Sequence, residues 1–102
     1  MAILSFANDT TSDIFHGHDT KAARRVPKNV WPAARRKMTI LHNAKSTLDL
    51  TAIPGNRFES LKMILPDYSS MRVNDNYRLL FIFKNGDAYN VSIENYHGRT
   101  TQ

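Results

Sequence analysis

Two arginines, Arg72 and Arg78, stand on either side of an Asn74-Asp75-Asn76 run, and the last apolar stretch of the chain runs out through Glu94 and Asn95 to Tyr96 and His97. These residue types are complete for one reaction. Cleavage of RNA by its own 2′-hydroxyl needs a base for that proton, cations for the charge that develops on phosphorus, and an acid for the departing 5′-oxygen. Histidine titrates in the useful range, tyrosine donates or orients, and arginine grips a phosphate bidentately, which lysine cannot do. Taken alone, a Tyr-His pair is equally what many inert segments carry. His42 and the His16-x-His18 pair read as surface or cap residues.

Whether the arginines converge depends on strand register. Runs of β-branched and aromatic residues predict strands over 69–73, 77–84 and 87–95, joined at Asn74-Asp75-Asn76 and Asn85-Gly86 into an antiparallel meander. Side chains alternate across a strand, so the bulky positions choose the buried face. Tyr89, Val91 and Ile93 pair with Leu79, Phe81 and Phe83 on one face if the connection spans three residues, 85–87, as a type I turn with Gly86 in a bulge. The same reasoning at 74–76 sets Met71 and Val73 beside Leu79 and Tyr77. The opposite face then collects Arg72, Arg78, Glu94 and Tyr96, with Arg72 directly across from Arg78. Opposed like charges destabilise a strand pair, so an anion is expected: either Glu94 in a structural network, or a phosphate held between the two guanidiniums.

The elements before the meander must back it. ILSFAN reads as a short strand, and the capping residues of 8–12 open a short helix over 10–16, with Gly17 at its left-handed end. A basic loop follows, carrying Lys21, Arg24, Arg25 and Lys28. Trp31, Ala34, Met38 and Leu41 then recur at helical spacing, predicting an amphipathic helix over 30–44 with Asn29 as N-cap and Pro32 in its first turn. Arg35, Arg36 and Lys37 fall on its other flanks, as a solvated face or a phosphate-tracking one. After the Pro54-Gly55-Asn56-Arg57 turn, FESLKMILP is compatible with a helix or an extended segment. Helices first and strands last indicate an α+β domain with helices packed on one face of the sheet.

Composition narrows the partners. At 102 residues with 41% apolar content, the chain is expected to form one domain, residues 1–102. It has no apolar run long enough for a membrane span, and the 1–6 segment has neither the basic start nor the apolar stretch of a secretory signal, so a cytoplasmic protein without membrane contact is expected. The absence of cysteine excludes disulfides, thiol catalysis and cysteine-ligated zinc, and no metal or cofactor is expected. A net charge of +5 favours polyanions, nucleic acid first.

The run PGNRFESLK followed by YSSMRVNDNYRLLFIFKNGDAYNVSIENYH, with an Ile-x-Ser-Phe-like start, resembles the HigB-like toxins of the RelE/ParE superfamily, the toxin half of bacterial toxin-antitoxin pairs. The resemblance spans nearly the whole chain. It implies a RelE-like microbial RNase fold, with an N-terminal strand and two helices packed on a twisted antiparallel sheet that ends in a three-stranded meander. It implies an endoribonuclease that enters the ribosomal 30S A site, cuts mRNA during translation and is silenced by a HigA-like helix-turn-helix antitoxin, reaching operator DNA only through that complex. Carried over by position, Arg78, Tyr96 and His97, with Glu59, form the catalytic set. Asn76, Lys62 and Arg57, joined by Arg72 from the strand parity, form the RNA- and phosphate-binding set. The basic loop and helix, through Arg24, Arg25, Arg35, Arg36 and Lys37, would dock ribosomal RNA. Two positions depart from the pattern: some members have His where this chain has Glu59, and Asp where it has Asn95. Glu59 is then either a base or a structural residue. The superfamily also holds a ParE-type branch that binds a protein target without catalysis, and a weakened toxin acting mainly within a repressor complex is a further alternative.

Overall fold

The first helix begins within the expected capping cluster, one residue before Thr10. In the computed structural model, which describes residues 2–52, 55–61 and 67–95, Asn8 is extended and its Oδ1 accepts from the Thr11 amide at 2.9 Å and the Thr11 hydroxyl at 2.8 Å. Helix α1 (Asp9–His16) then ends on Gly17, whose φ of +78° turns the chain so that the His18 amide reaches the Asp13 carbonyl at 2.8 Å. Two 3₁₀ turns, Ala23–Arg25 and Lys28–Val30, lead into helix α2 (Trp31–Asn43). Asn29 is not the N-cap: it lies inside the second turn, and Val30 occupies the cap position without a side-chain bond. The turn makes a side-chain cap unnecessary, because the Val30 and Trp31 amides already donate to the Pro27 and Lys28 carbonyls. Pro32, second in the helix, loses no intrahelical bond.

A short helix α3 (Thr47–Thr51), anchored by the fully buried Leu50, follows where hydrophobic periodicity predicts none, and Asp49 Oδ2 accepts from the Lys45 amide just before it at 2.8 Å. Five residues cannot display a helical period. The FES start of the ambiguous 58–66 segment is extended and contributes strand β1 (Glu59–Ser60); residues 62–66 lie outside the described set.

Strands β2 (Tyr68–Arg72), β3 (Tyr77–Lys84) and β4 (Asp87–Asn95) form the expected meander, and with β1 they make a four-stranded antiparallel sheet in the order β1-β2-β3-β4. At the first turn, Asn74 Oδ1 accepts from the Asn76 and Tyr77 amides at 2.8 and 2.9 Å, so an Asx turn holds the register. At the second, the three-residue connection does not form. Lys84 pairs with Asp87 across a two-residue loop, with both Asn85 (φ +53°) and Gly86 (φ +82°) in the left-handed region that a type I′ turn requires. The register shift occurs instead inside the hairpin: Leu80 faces Ser92 and Ile82 faces Tyr89, so Asn90 and Val91 together oppose Phe81. Asn90, at φ +53°, is the bulge residue. Tyr89 is thereby displaced from the face of Val91 and Ile93 to that of Ile82, and Phe83, paired with Ala88, is left 38% exposed at the rim.

The same bulge explains the N-terminal segment, which forms no continuous strand. Residues 2–7 run parallel to β4 through isolated bridges, Ile3 to Ala88 and Phe6 to Val91. Between them the Asn90 amide is taken by the Ser5 hydroxyl at 2.9 Å rather than by a backbone carbonyl, and the ladder breaks there. Helices α1 and α2 cover one sheet face, packing Ile14, Ala34, Met38 and Leu41 on Met71, Leu79, Phe81, Val91 and Ile93. The molecule is α+β, and its other sheet face is left for the site.

Candidate active site

On that other face the register places Arg72 directly across from Arg78, and Arg78 across from Glu94, as the parity of the sequence requires. The two guanidiniums are held in different ways. Arg72 pairs with the carboxylate of Asp75, three residues on in the turn, and remains partly exposed. Asp75, a carboxylate outside the strand parity, supplies an anion for Arg72. Arg78 is 6% exposed; its Nε and Nη2 donate to Ser70 Oγ at 3.1 and 2.8 Å, and Nη2 also donates to the Arg57 carbonyl at 2.7 Å. Ser70 serves because it lies two residues before Arg72 and so on the same face. It also stands opposite Glu59 in the β1–β2 pair, which sets the Glu59 backbone beside the arginines; the Glu59 side chain is outside the described set.

The loop that supplies the Arg57 carbonyl is tightly specified. Gly55 and Arg57 are both left-handed, at φ +90° and +45°, and Asn56 between them is completely buried. The Arg57 side chain is exposed at the edge of the site. Asn76 is exposed in the turn next to Arg72. The structure therefore brings Arg57, Arg72, Arg78 and the backbone of Glu59 together, with Asn76 close by in sequence and turn. Tyr96, His97 and Lys62 lie outside the described residues, and β4 delivers the chain as far as Asn95, opposite Tyr77.

The expected docking residues are not all open to a polyanion. Arg24 and Lys28 both bind Asp19, at 2.8 Å each, and these hydrogen bonds, Lys28 first, hold the Asp19 carboxyl below its usual range. Arg25 and Arg36 are exposed. Arg35 is exposed too, but its Nε reaches the Ile14 carbonyl at 3.0 Å, in the last turn of α1. Lys37 corrects the sequence reading: it is 8% exposed and points inward to Asn56, with Nζ 2.5 Å from Oδ1. The spacing carried this signal, since Ala34, Lys37, Leu41 and Ala44 follow one helical stripe of which the other three are buried. Burial, then the charges of Arg36 and Arg72, push the Lys37 ammonium below the ordinary lysine value. His16, His18 and His42 are exposed, in ring contact with one another or with Phe6 and Phe15. Among the described residues no group of three or more His, Asp or Glu is arranged to hold a metal ion.

A family model described as the RelE-like toxin of the type II toxin-antitoxin system HigB matches residues 4–97. The chain belongs to the HigB-like toxin family. Toxin HigB-1 of Vibrio cholerae serotype O1 is 41% identical to it over 76 residues, which cover 74% of this chain and 80% of that protein. An uncharacterized protein of Haemophilus influenzae is 26% identical over 89 residues, or 87% of this chain and 86% of its own. As a type II toxin, the protein has an antitoxin for a partner. No helix among the described residues of the toxin is long and apolar enough to cross a membrane.

Proposed function

We propose that this toxin is an endoribonuclease that cuts mRNA in the ribosomal 30S A site during translation and is neutralised by a HigA-like helix-turn-helix antitoxin, with which it reaches operator DNA. The observation that carries this reading is the opposed pair Arg72 and Arg78 on the sheet face opposite the helix-packed core, Arg78 buried and Arg72 partly exposed. Family membership supports the same class of activity, since these toxins are generally RNases. In this mechanism the two guanidiniums grip the scissile phosphate and stabilise the charge that develops as the 2′-oxygen attacks phosphorus. His97 and Glu59 exchange the protons, one removing the 2′-hydroxyl proton and the other protonating the leaving 5′-oxygen, and Tyr96 orients the substrate. Arg57, Asn76 and Lys62 contact the flanking nucleotides, and Arg24, Arg25, Arg35 and Arg36 dock ribosomal RNA.

The test is induction of the toxin in bacterial cells with mapping of new mRNA 5′ ends. Growth arrest with in-frame cleavage is expected, and Arg78→Ala combined with His97→Ala should abolish both. Arrest without new 5′ ends, or arrest unchanged by the double substitution, would overturn the proposal. One observation favours a second reading: Arg78 is 94% buried and bonded to Ser70 and Arg57, as a structural arginine would be. A ParE-type toxin that binds a protein target needs no acid or base, and translation in a purified system separates the two. Codon-localised cuts belong to the first reading only.

A further inference from the structure

Helix α2 carries a charge inside its buried stripe. Lys37 Nζ donates to Asn56 Oδ1 at 2.5 Å, and Asn56, 0% exposed, uses its Nδ2 to reach the Leu50 carbonyl at 3.1 Å. The Asn56 backbone carbonyl accepts from the Arg72 amide at 2.6 Å. The next residue, Arg57, is left-handed at φ +45°, and its carbonyl accepts from Arg78 Nη2 at 2.7 Å. A continuous series of bonds thus runs from the helix layer, through one asparagine, to both arginines of the site.

Filling space does not account for Lys37. Desolvating an ammonium against a neutral acceptor is unfavourable, and among the described residues no carboxylate lies within ion-pair distance of its Nζ. Methionine would fill the same volume without that cost. Asn56 does need a strong donor, however. Its side chain has lost all contact with water, and its oxygen would be left unsatisfied if Lys37 were apolar. The loop it anchors contains a non-glycine residue at positive φ, a conformation that persists only when its surroundings over-determine it.

We propose that Lys37 and Asn56 are positioning residues for the phosphate clamp: Lys37 fixes Asn56, Asn56 pins residues 55–57 to β2, and the Arg57 carbonyl then holds the Arg78 guanidinium in place. Neither residue touches substrate. The proposal rests on the reading of Arg78 as a phosphate ligand. Tight hydrogen bonding at Nη2 removes the rotational freedom that Arg78 would otherwise lose on binding RNA, so the clamp is preorganised before substrate arrives.

The test compares the full-length toxin with Lys37→Met and Lys37→Arg. Hydrogen exchange at Arg78 Nε, read by NMR and assigned by its loss in Arg78→Lys, reports the guanidinium directly; single-turnover mRNA cleavage on purified ribosomes reports the consequence. In Lys37→Met the Arg78 Nε proton should exchange faster while core amides of α1 and β4 stay protected. The cleavage step should slow on the order of a hundredfold, as for other misplaced catalytic groups. Lys37→Arg, which still offers donors to Asn56, should restore both. Unchanged exchange in Lys37→Met overturns the positioning role, and altered exchange with unchanged cleavage overturns its functional relevance. If Lys37→Met does not fold, Asn56→Ser, which shortens the acceptor from the other side, must show the same faster exchange or the proposal fails. Absence of cleavage by the unsubstituted toxin would instead refute the nuclease reading, while the Arg78 exchange measurement still decides the Lys37 contact.

Discussion

Lys37 and Arg78 are buried cations that a one-dimensional reading places on the surface or in a substrate cleft, and both are resolved by their acceptors. Because the folded state holds Lys37 below its ordinary value of 10.5, the unfolded chain binds more protons at this site between the lowered value and 10.5. Stability should therefore rise with pH across that window. Lys37→Met lacks this contribution, so the stability of the native chain relative to the variant should be greater at pH 10 than at pH 7. Urea unfolding of both at the two pH values checks this, and an equal or smaller difference at pH 10 contradicts it. Arg78→Lys keeps one positive charge but cannot span Ser70 Oγ and the Arg57 carbonyl in a planar fork. It should lose on the order of a hundredfold in single-turnover cleavage, with a melting temperature that falls because Ser70 and the carbonyl lose their donors.

Among the elements, the β3–β4 hairpin shows how one displaced residue reassigns faces. A two-residue loop and a bulge produce the same total shift as the three-residue loop expected from the sequence, so Arg78, Leu79, Ile93 and Glu94 fall where parity puts them. Beyond the bulge, toward the loop, the assignment reverses, and Tyr89 changes sides. The bulge depends on Asn90 accepting a left-handed backbone. Asn90→Val should destabilise the fold by about 1–2 kcal/mol, the cost of forcing a β-substituted residue into that region, whereas Asn90→Gly should be near neutral. Chemical denaturation of the two variants measures the difference directly. Equal stabilities would mean that the bulge moves to another residue. Phe81, fully buried opposite it, should cost about 3–5 kcal/mol on truncation to Ala, enough to threaten a domain of this size.

For the whole molecule, the fourteen Lys and Arg behind the formal charge of +5 overstate the cations that a polyanion meets unpaired. Lys37 is buried, Arg72 is paired with Asp75, and Arg24 and Lys28 share Asp19. Asp19 is thus a restraint on the basic loop. Asp19→Asn should free both cations, tighten ribosomal RNA binding and steepen its dependence on salt, with a slope change of about one to two released counterions. Fluorescence titration at two salt concentrations tests this, and an unchanged slope would remove the 21–28 loop from the docking surface. Since Asp19 and its two partners are exposed, little change in stability at neutral pH is expected.

Local chemistry was enough to specify several parts of this protein from sequence: the capping cluster that opens α1 and its Gly17 stop, the stripe of α2, the three strands, and the facing of Arg72 by Arg78. Each depends on a period or a turn residue within a few positions. Other features depend on groups far apart in the chain. Lys37 meets Asn56 across 19 positions, Arg57 meets Arg78 across 21, and the Asn90 amide meets Ser5 across 85. No local pattern encodes such partners, because a buried polar group is satisfied by whatever the packing of layers brings to it. The sequence by itself determined which residue types reach the sheet face opposite the helices; only the tertiary structure decided which of its cations are spoken for.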